Sequence, residues 1–100
     1  LYVFFSRAGE QPERILLSTI ELTGDWQEWT ATDPVEVLRP EFDYEGADLP
    51  NEPSRRGYID VRVNQLRDPA IFQEDGKTYL LYSVAGESGI AVAEISFDSL

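Results

Sequence analysis

The sequence predicts an all-β protein built from antiparallel sheets, on three observations. Tyr, Val, Phe, Ile and Leu are concentrated in short runs bounded by turn residues, which is the pattern of strands. One hairpin is used twice: YVFFSRAGE at 2–10 matches YLLYSVAGE at 79–87, and ILLSTIEL at 15–22 corresponds to IAVAEISF at 90–97. Signals for helices are weak throughout. We therefore expect two related sheets.

The strand signals are interrupted by recognisable turns. Strands are predicted near residues 2–6, 14–22, 34–38, 68–73, 78–84 and 90–97. The pair Asp75-Gly76, within the turn at 74–77, favours a tight hairpin between the fourth and fifth strands. The opening LYVFFS is typical of the middle of a buried strand, so we expect the chain to be a piece of a longer protein.

A long segment separates the two groups of strands. Residues 39–66 contain three prolines, and the pattern at 58–63 favours one short strand. A loop of this length inside a compact domain is uncommon unless it is functional. The chain is thus expected to form one partial domain, with strands in 1–38, a loop in 39–66 and further strands in 67–100.

Composition disfavours several classes of function. The net charge of −11 repels nucleic acid and anionic membrane surfaces, so neither is an expected partner. No apolar run approaches the roughly 18 residues of a membrane span. The absence of Cys and His removes thiolate nucleophiles, imidazole ligands and His-dependent triads, which leaves carboxylates, Lys, Tyr and Ser for chemistry. No metal or other cofactor is predicted from this composition.

The second group of strands carries a family resemblance. The run DPAIF at 68–72, the turn DG at 75–76 and the strand YLLYS at 79–83 resemble the repeating blade of the five-bladed β-propeller glycosidases. These are the arabinanase, xylosidase and invertase-like enzymes of glycoside hydrolase families 43 and 32. The resemblance implies that the sheets are consecutive blades of a partial five-bladed propeller. Because propellers close 4–8 four-stranded blades around a channel, several blades would lie outside this chain.

The blade geometry implies that several loops share one end. Strands alternate in direction, so the start of the strand at Asp68 lies at the same end as the hairpins 86–89 and 7–13 and the loop 39–66. The turn 74–77 lies at the opposite end. Loops clustered at one end of a rigid scaffold often bind ligands. The resemblance implies that the ligand here is a carbohydrate.

Asp68 is the candidate catalytic residue, and its role is implied by the resemblance. It matches the Asp-Pro motif of the family, in which such an Asp is a catalytic or transition-state-stabilising carboxylate. Glycoside cleavage generally uses two carboxyl groups, and no second one is identified from the sequence. The alternative is a structural Asp that binds nearby backbone N–H groups. Arg67 is a candidate to orient Asp68 or to bind a hydroxyl or carboxylate of the substrate; the alternative is a solvated or structural ion-pair partner.

Four further residues are candidate sugar contacts: Arg55, Arg56, Tyr58 and Glu87. Paired guanidinium groups suit carboxylate or phosphate recognition, which fits an acidic sugar. The alternative is that the two arginines neutralise the adjoining carboxylates Asp43, Glu45, Asp48 and Glu52. This acidic string is also the basis of an alternative calcium loop, although its spacing fits no EF-hand.

Two repeated or paired features have competing interpretations. Glu10 and Glu87 occupy equivalent hairpin positions, and recurrence favours a turn role over catalysis. Trp26 and Trp29 are expected to pack in the core, with a sugar-stacking platform as the alternative.

Three functions remain open at this point. The first is a fragment of a carbohydrate-active propeller resembling a glycoside hydrolase, inactive by itself. The second is a non-catalytic propeller module that binds a glycan or a protein. The third is a structural fragment that forms a homo-oligomer through exposed strand edges, because the strand at 1–6 lacks its expected inner neighbour.

Overall fold

The protein is all-β, as the sequence predicts. A computed structural model describes residues 1–99 and contains two three-stranded antiparallel sheets, in each of which consecutive strands are neighbours. The first sheet comprises β1 (Tyr2–Phe5), β2 (Ile15–Thr19) and β3 (Val35–Leu38); the second comprises β4 (Arg67–Glu74), β5 (Lys77–Val84) and β6 (Gly89–Ile95). The helical structure within residues 1–99 consists of 3-10 turns at Trp26–Glu28, Asp43–Glu45 and Phe97–Ser99. These residues close no barrel or propeller, so the blade arrangement stays a prediction.

Most predicted strands are present, with two differences. β2 ends at Thr19 rather than near residue 22, and Ile20 makes only an isolated bridge to Ala31. The strand predicted at 58–63 is absent, so this prediction is wrong. Its N–H groups are used elsewhere: Ile59 donates to the Glu87 carboxylate at 2.7 Å and Val63 donates to the Ala85 carbonyl at 3.3 Å. Residue 100, the end of the predicted third segment, lies outside the described residues.

The turn predicted between β4 and β5 is confirmed. Asp75 and Gly76 have φ values of +52° and +75°, as a type I′ turn requires at both central positions. Glu74 and Lys77 pair directly across this turn and close the hairpin.

The core lies between the two sheets. Alternate residues of β5, Leu80, Tyr82 and Val84, are buried on one face, as the period of a strand dictates. They form a cluster with Ile15 from β2 and Leu66 from the segment before β4. Leu66 donates its backbone N–H to the Glu13 carbonyl at 2.9 Å, which joins the second sheet to the start of the first.

The second sheet is also apolar on its other face. The strand register places Phe72, Leu81 and Val92 on this face, opposite to Leu80. Ile90 and Val92 are 77% and 60% exposed, and Phe72 is 51% exposed. A sheet that faces water on one side normally alternates apolar and polar residues. This sheet instead has the composition of one covered on both sides, while residues 1–99 cover only one.

The long loop 39–66 is attached to both copies of the repeated hairpin. Gly9, in the first copy, donates its N–H to the Ser54 carbonyl at 3.1 Å. Gly86, at the equivalent position of the second copy, donates to the Gln65 carbonyl at 3.0 Å. The loop therefore bridges the two sheets at the end where the hairpins lie.

The two tryptophans do not pack in the core, so that expectation is wrong. Trp26 and Trp29 are 68% and 37% exposed, within a segment, 21–36, that is exposed throughout. The Trp29 indole donates to the Thr23 carbonyl at 2.7 Å, which fixes this excursion locally rather than against the sheets.

Candidate functional site

Five of the six candidate site residues line one cavity. Its volume is about 610 Å³, and its walls come from the first hairpin, the long loop, the start of β4 and the β5–β6 hairpin. The lining residues are Ser6, Arg7, Ala8, Glu13, Arg55, Arg56, Gly57, Arg67, Asp68 and Glu87. The Asp75-Gly76 turn does not line this cavity and instead forms part of a separate surface with residues 73–78. The loops predicted to share one end of the sheets therefore meet there.

Asp68 lies in this cavity in an uncommon backbone conformation. Its φ of +54° is in the left-handed region, at an irregularity in the β4–β5 register between Arg67 and Ala70. This conformation costs free energy in any residue other than glycine, and it is often found at functional positions. Its exposed carboxylate accepts one hydrogen bond, from the Ser83 hydroxyl at 3.0 Å. The structural alternative, in which Asp68 binds backbone N–H groups, is not found among the described residues.

Arg67 is buried and makes structural contacts. Its guanidinium donates to Gln65 Oε1 at 2.9 Å, to the Gly57 carbonyl at 2.7 Å and to the Arg55 carbonyl at 3.0 Å. These bonds fix the loop segment that carries Arg55 and Arg56. The contacts of Arg67 show that it positions the loop. Arg67 also lines the cavity, and its contact with a substrate stays a prediction.

Glu13 is a buried carboxylate that sequence reasoning did not single out. It accepts a hydrogen bond from the Ser6 hydroxyl at 2.7 Å and lies 3.5 Å from the Arg67 Nε. Buried charges are normally paired, and this pair connects the two sheets below the cavity. The one signal in the sequence was its position two residues before the apolar strand β2. Glu13, Asp68 and Glu87 give the cavity three carboxylates.

Arg55 and Arg56 do not neutralise the acidic string, contrary to the alternative interpretation. Both are exposed, and neither side chain makes an ion pair or hydrogen bond within residues 1–99. Arg62 faces that string instead, donating to the Asp43 carbonyl at 2.7 Å. The two guanidinium groups at the cavity are therefore available to a ligand.

Glu87 and Tyr58 lie at the outer part of the site. Glu87 Oε2 accepts the Ile59 N–H at 2.7 Å, which leaves its second oxygen for other contacts. Tyr58 lines a neighbouring cavity of about 390 Å³ rather than the first one. The two cavities share Arg55, Arg56, Gly57 and Arg67 in their walls. Tyr58 is 83% exposed, so its ring is accessible beside the arginines.

The acidic string of the loop is not arranged as a metal site. Glu45 is buried and accepts the Glu41 and Phe42 N–H groups at 2.9 and 3.1 Å, while its other oxygen accepts the Tyr82 hydroxyl at 3.0 Å. Burial, and then the hydrogen bond to Glu45, raise the pKa of Tyr82 above its usual range. Among residues 1–99 no group of three or more acidic side chains is arranged to hold a metal ion. Glu45 instead anchors the loop to β5.

Comparison with known proteins shows that the chain is similar to a viral protein. The chain is 53% identical over 96 residues to "Uncharacterized protein R118" of Acanthamoeba polyphaga mimivirus, a match that covers 95% of this chain. The chain spans only 27% of the length of that relative. No protein-family model matches the chain, and no solved structure matches it significantly. Within residues 1–99 no helix is long and apolar enough to cross a membrane.

Proposed function

We propose that the cavity binds carbohydrate and that the chain is part of a five-bladed propeller resembling a glycoside hydrolase, with Asp68 as a catalytic carboxylate. The observation that carries this proposal is the meeting of Asp68, Arg67, Arg55, Arg56 and Glu87 at one cavity. They come from three separate segments: the long loop, the start of β4 and the β5–β6 hairpin. Local strand pairing does not require such a meeting of charged residues.

The chemistry of the cavity suits a sugar. Carboxylates such as Asp68 and Glu87 accept hydrogen bonds from hydroxyl groups, and the guanidinium groups of Arg55 and Arg56 donate them. Tyr58 offers an exposed ring beside the arginines, and an aromatic ring combines an apolar face with a polar tip. Asp68 keeps most of its acceptor capacity because its one hydrogen bond comes from Ser83.

The propeller is supported by the outer face of the second sheet. Ile90, Val92 and Phe72 form an exposed apolar surface on a sheet whose other face is already buried. In a propeller each blade is covered by a neighbour on both sides, which accounts for this composition. The mimiviral relative is between three and four times as long as this chain, a length that could supply further blades.

The test is a substitution of Asp68 in the longer propeller protein that this proposal implies, with binding and cleavage measured separately. Asp68→Asn is expected to abolish cleavage of aryl glycosides or to weaken oligosaccharide binding, measured by calorimetry. Asp33→Asn removes an exposed carboxylate outside the cavity and serves as the control. Unchanged cleavage and unchanged affinity in Asp68→Asn would remove Asp68 from the site.

A non-catalytic glycan- or protein-binding module is the second candidate. The observation in its favour is that the Glu13 carboxylate, the additional acid found at the cavity, is engaged by Ser6 and Arg67. A general acid or base must reach the reacting atom, and these contacts hold Glu13 within the protein. Saturable glycan binding without turnover would support this candidate; cleavage by the protein would exclude it.

Self-association through exposed strand edges is the third candidate. The outer strands are β1, β3, β4 and β6, and the exposed apolar face of the second sheet adjoins two of them. Val92→Lys places a charge on this face in the edge strand β6 and is expected to prevent self-association in sedimentation experiments. A wild-type protein that is strictly monomeric at all concentrations would contradict this candidate.

A further inference from the structure

The cavity has the opposite charge balance to the chain around it. The chain has 19 acidic and eight basic residues. Four of those eight basic residues line this single cavity: Arg7, Arg55, Arg56 and Arg67. The carboxylates in its walls are Glu13, Asp68 and Glu87, so arginines outnumber acids there. Half of the basic residues of the chain therefore line this one cavity.

Two of the four arginines already have protein partners. Arg7 donates through Nε to Glu10 Oε1 at 2.9 Å. Arg67 is paired with Glu13 and bonded to the loop, as described above. Within residues 1–99, the cavity arginines that lack an ion-pair partner are therefore Arg55 and Arg56, and they line the same cavity as two carboxylates without an ion pair, Asp68 and Glu87.

The backbone that carries these two arginines is fixed on both sides. On the N-terminal side, Ser54 donates its N–H to the Glu10 carbonyl at 3.0 Å, and its own hydroxyl accepts the Gly9 N–H at 3.0 Å. On the C-terminal side, Glu87 accepts the Ile59 N–H at 2.7 Å. Arg67 binds the Arg55 carbonyl between these points at 3.0 Å. Preorganisation of this kind lowers the entropy cost of binding.

We propose that the saccharide bound at this cavity carries a carboxylate, as a uronic acid does, and that Arg55 and Arg56 bind that carboxylate. This inference rests on the proposed function. Guanidinium groups match the planar, two-oxygen geometry of a carboxylate with paired hydrogen bonds. Asp68 and Glu87 accept the sugar hydroxyls. Those same acids disfavour a phosphate group, which carries nearly two negative charges near neutral pH.

The experiment compares an acidic oligosaccharide with its own neutral form. Oligogalacturonate and its methyl ester share every hydroxyl but differ in the carboxylate charge, and calorimetry gives the affinity of the protein for each. We expect the acid to bind roughly ten- to a hundredfold more tightly, the range for charge-assisted hydrogen bonds. The double variant Arg55→Ala/Arg56→Ala is expected to bind the acid and the ester with equal affinity, because the preference for the acid depends on the two guanidinium groups.

A second double variant separates specific contact from general charge. Arg39→Ala/Lys77→Ala removes two positive charges that do not line the cavity and is expected to keep the preference for the acid. All substituted side chains are exposed, and circular dichroism with thermal unfolding verifies that each variant is folded. Equal loss of preference in both double variants would overturn the assignment of the carboxylate to Arg55 and Arg56.

The remaining outcomes distinguish a failure of this inference from a failure of the proposed function. Equal binding of acid and ester by the wild-type protein overturns the inference and leaves a carbohydrate site in place. Competition by inorganic phosphate as strong as that by oligogalacturonate also overturns it, because the site then recognises anions in general. Binding of neither saccharide, nor of any other in a neutral panel, overturns the proposed function as well.

Discussion

The two copies of the repeated hairpin make equivalent contacts at their loops and different contacts in their strands. Gly9 and Gly86 both have positive φ and both donate their N–H to the long loop. The serines at equivalent positions, Ser6 and Ser83, each donate to a carboxylate that lines the cavity, Glu13 and Asp68 respectively. The repeated sequence thus supplies the loop with two attachment points and the cavity with two held acids.

The copies differ where the sequence differs or where the loop lies closer. Phe5 in the first copy corresponds to Tyr82 in the second, and only the tyrosine can donate a hydrogen bond to Glu45. Gly9 has open space where a Cβ would stand, whereas Gly86 is in contact with the loop. The second copy therefore holds the loop more tightly than the first, and the following substitutions test this difference.

The largest difference is expected between alanine at the two glycines. A Cβ at Gly86 would lie 2.8 Å from Val63 Cγ2 and 3.1 Å from Ile59 Cγ2. Gly9→Ala incurs only the left-handed backbone cost of about 1–2 kcal/mol. Gly86→Ala adds overpacking of about 1–3 kcal/mol. Urea unfolding measures both, and equal losses would show that the loop does not contact the second hairpin closely.

Removal of the Tyr82 hydroxyl is expected to have an intermediate effect. Tyr82→Phe leaves the buried Glu45 oxygen without its donor, at a cost of about 1–3 kcal/mol in the free energy of unfolding. Tyr79→Phe is the matched control, because the Tyr79 hydroxyl makes no hydrogen bond within residues 1–99. Equal effects of the two substitutions would contradict the role of Tyr82 as an anchor of the loop.

The same substitution has a pH signature. The folded-state pKa of Tyr82 is raised above the unfolded value of about 10. The folded protein then holds a proton that the unfolded chain loses, so this stabilisation is complete below about pH 10 and declines as pH rises further. Wild-type stability should fall more steeply above that pH than the stability of Tyr82→Phe. Parallel curves would contradict the raised pKa.

The smallest effects are expected at the two serines. Ser6→Ala removes a donor from the buried Glu13 and is expected to cost about 1–2 kcal/mol. Ser83→Ala removes a donor from the exposed Asp68, and surface changes usually stay within about 0.5 kcal/mol. Chemical denaturation of both variants tests the comparison, and a larger cost at Ser83 would reverse the burial assigned to the two acids.

Sequence patterns predicted those parts of the fold that local signals determine. Strand β5 shows the period of two, and Asp75-Gly76 has the conformation that this pair favours. The strand at 58–63 was wrong because its apolar residues alternate as in a strand, while its N–H groups bind Glu87 and Ala85 instead. Such long-range partners leave no periodic signal.

The sequence predicted which residues form the candidate site better than it predicted the contacts between them. Placing loops by strand direction brought Asp68, Glu87 and the arginines to one end. The pairing of the buried Arg67 with Glu13 depends on how two sheets meet, which sequence spacing does not encode. Trp26 is exposed because it lies in a segment that leaves the first sheet after β2. The strand pattern of the sequence did not show that this segment leaves the sheet.

The most direct test of the carbohydrate site is an amide NMR titration of the protein with acidic and neutral oligosaccharides. If the two hairpins build this site, shift changes will concentrate in both hairpins and in the loop between them, at 6–13, 54–59, 67–68 and 86–89. The turn at 74–77, at the other end of the sheets, should stay unchanged. Changes centred on that turn, or no changes with any saccharide, would contradict the claim that the two hairpins build one carbohydrate site.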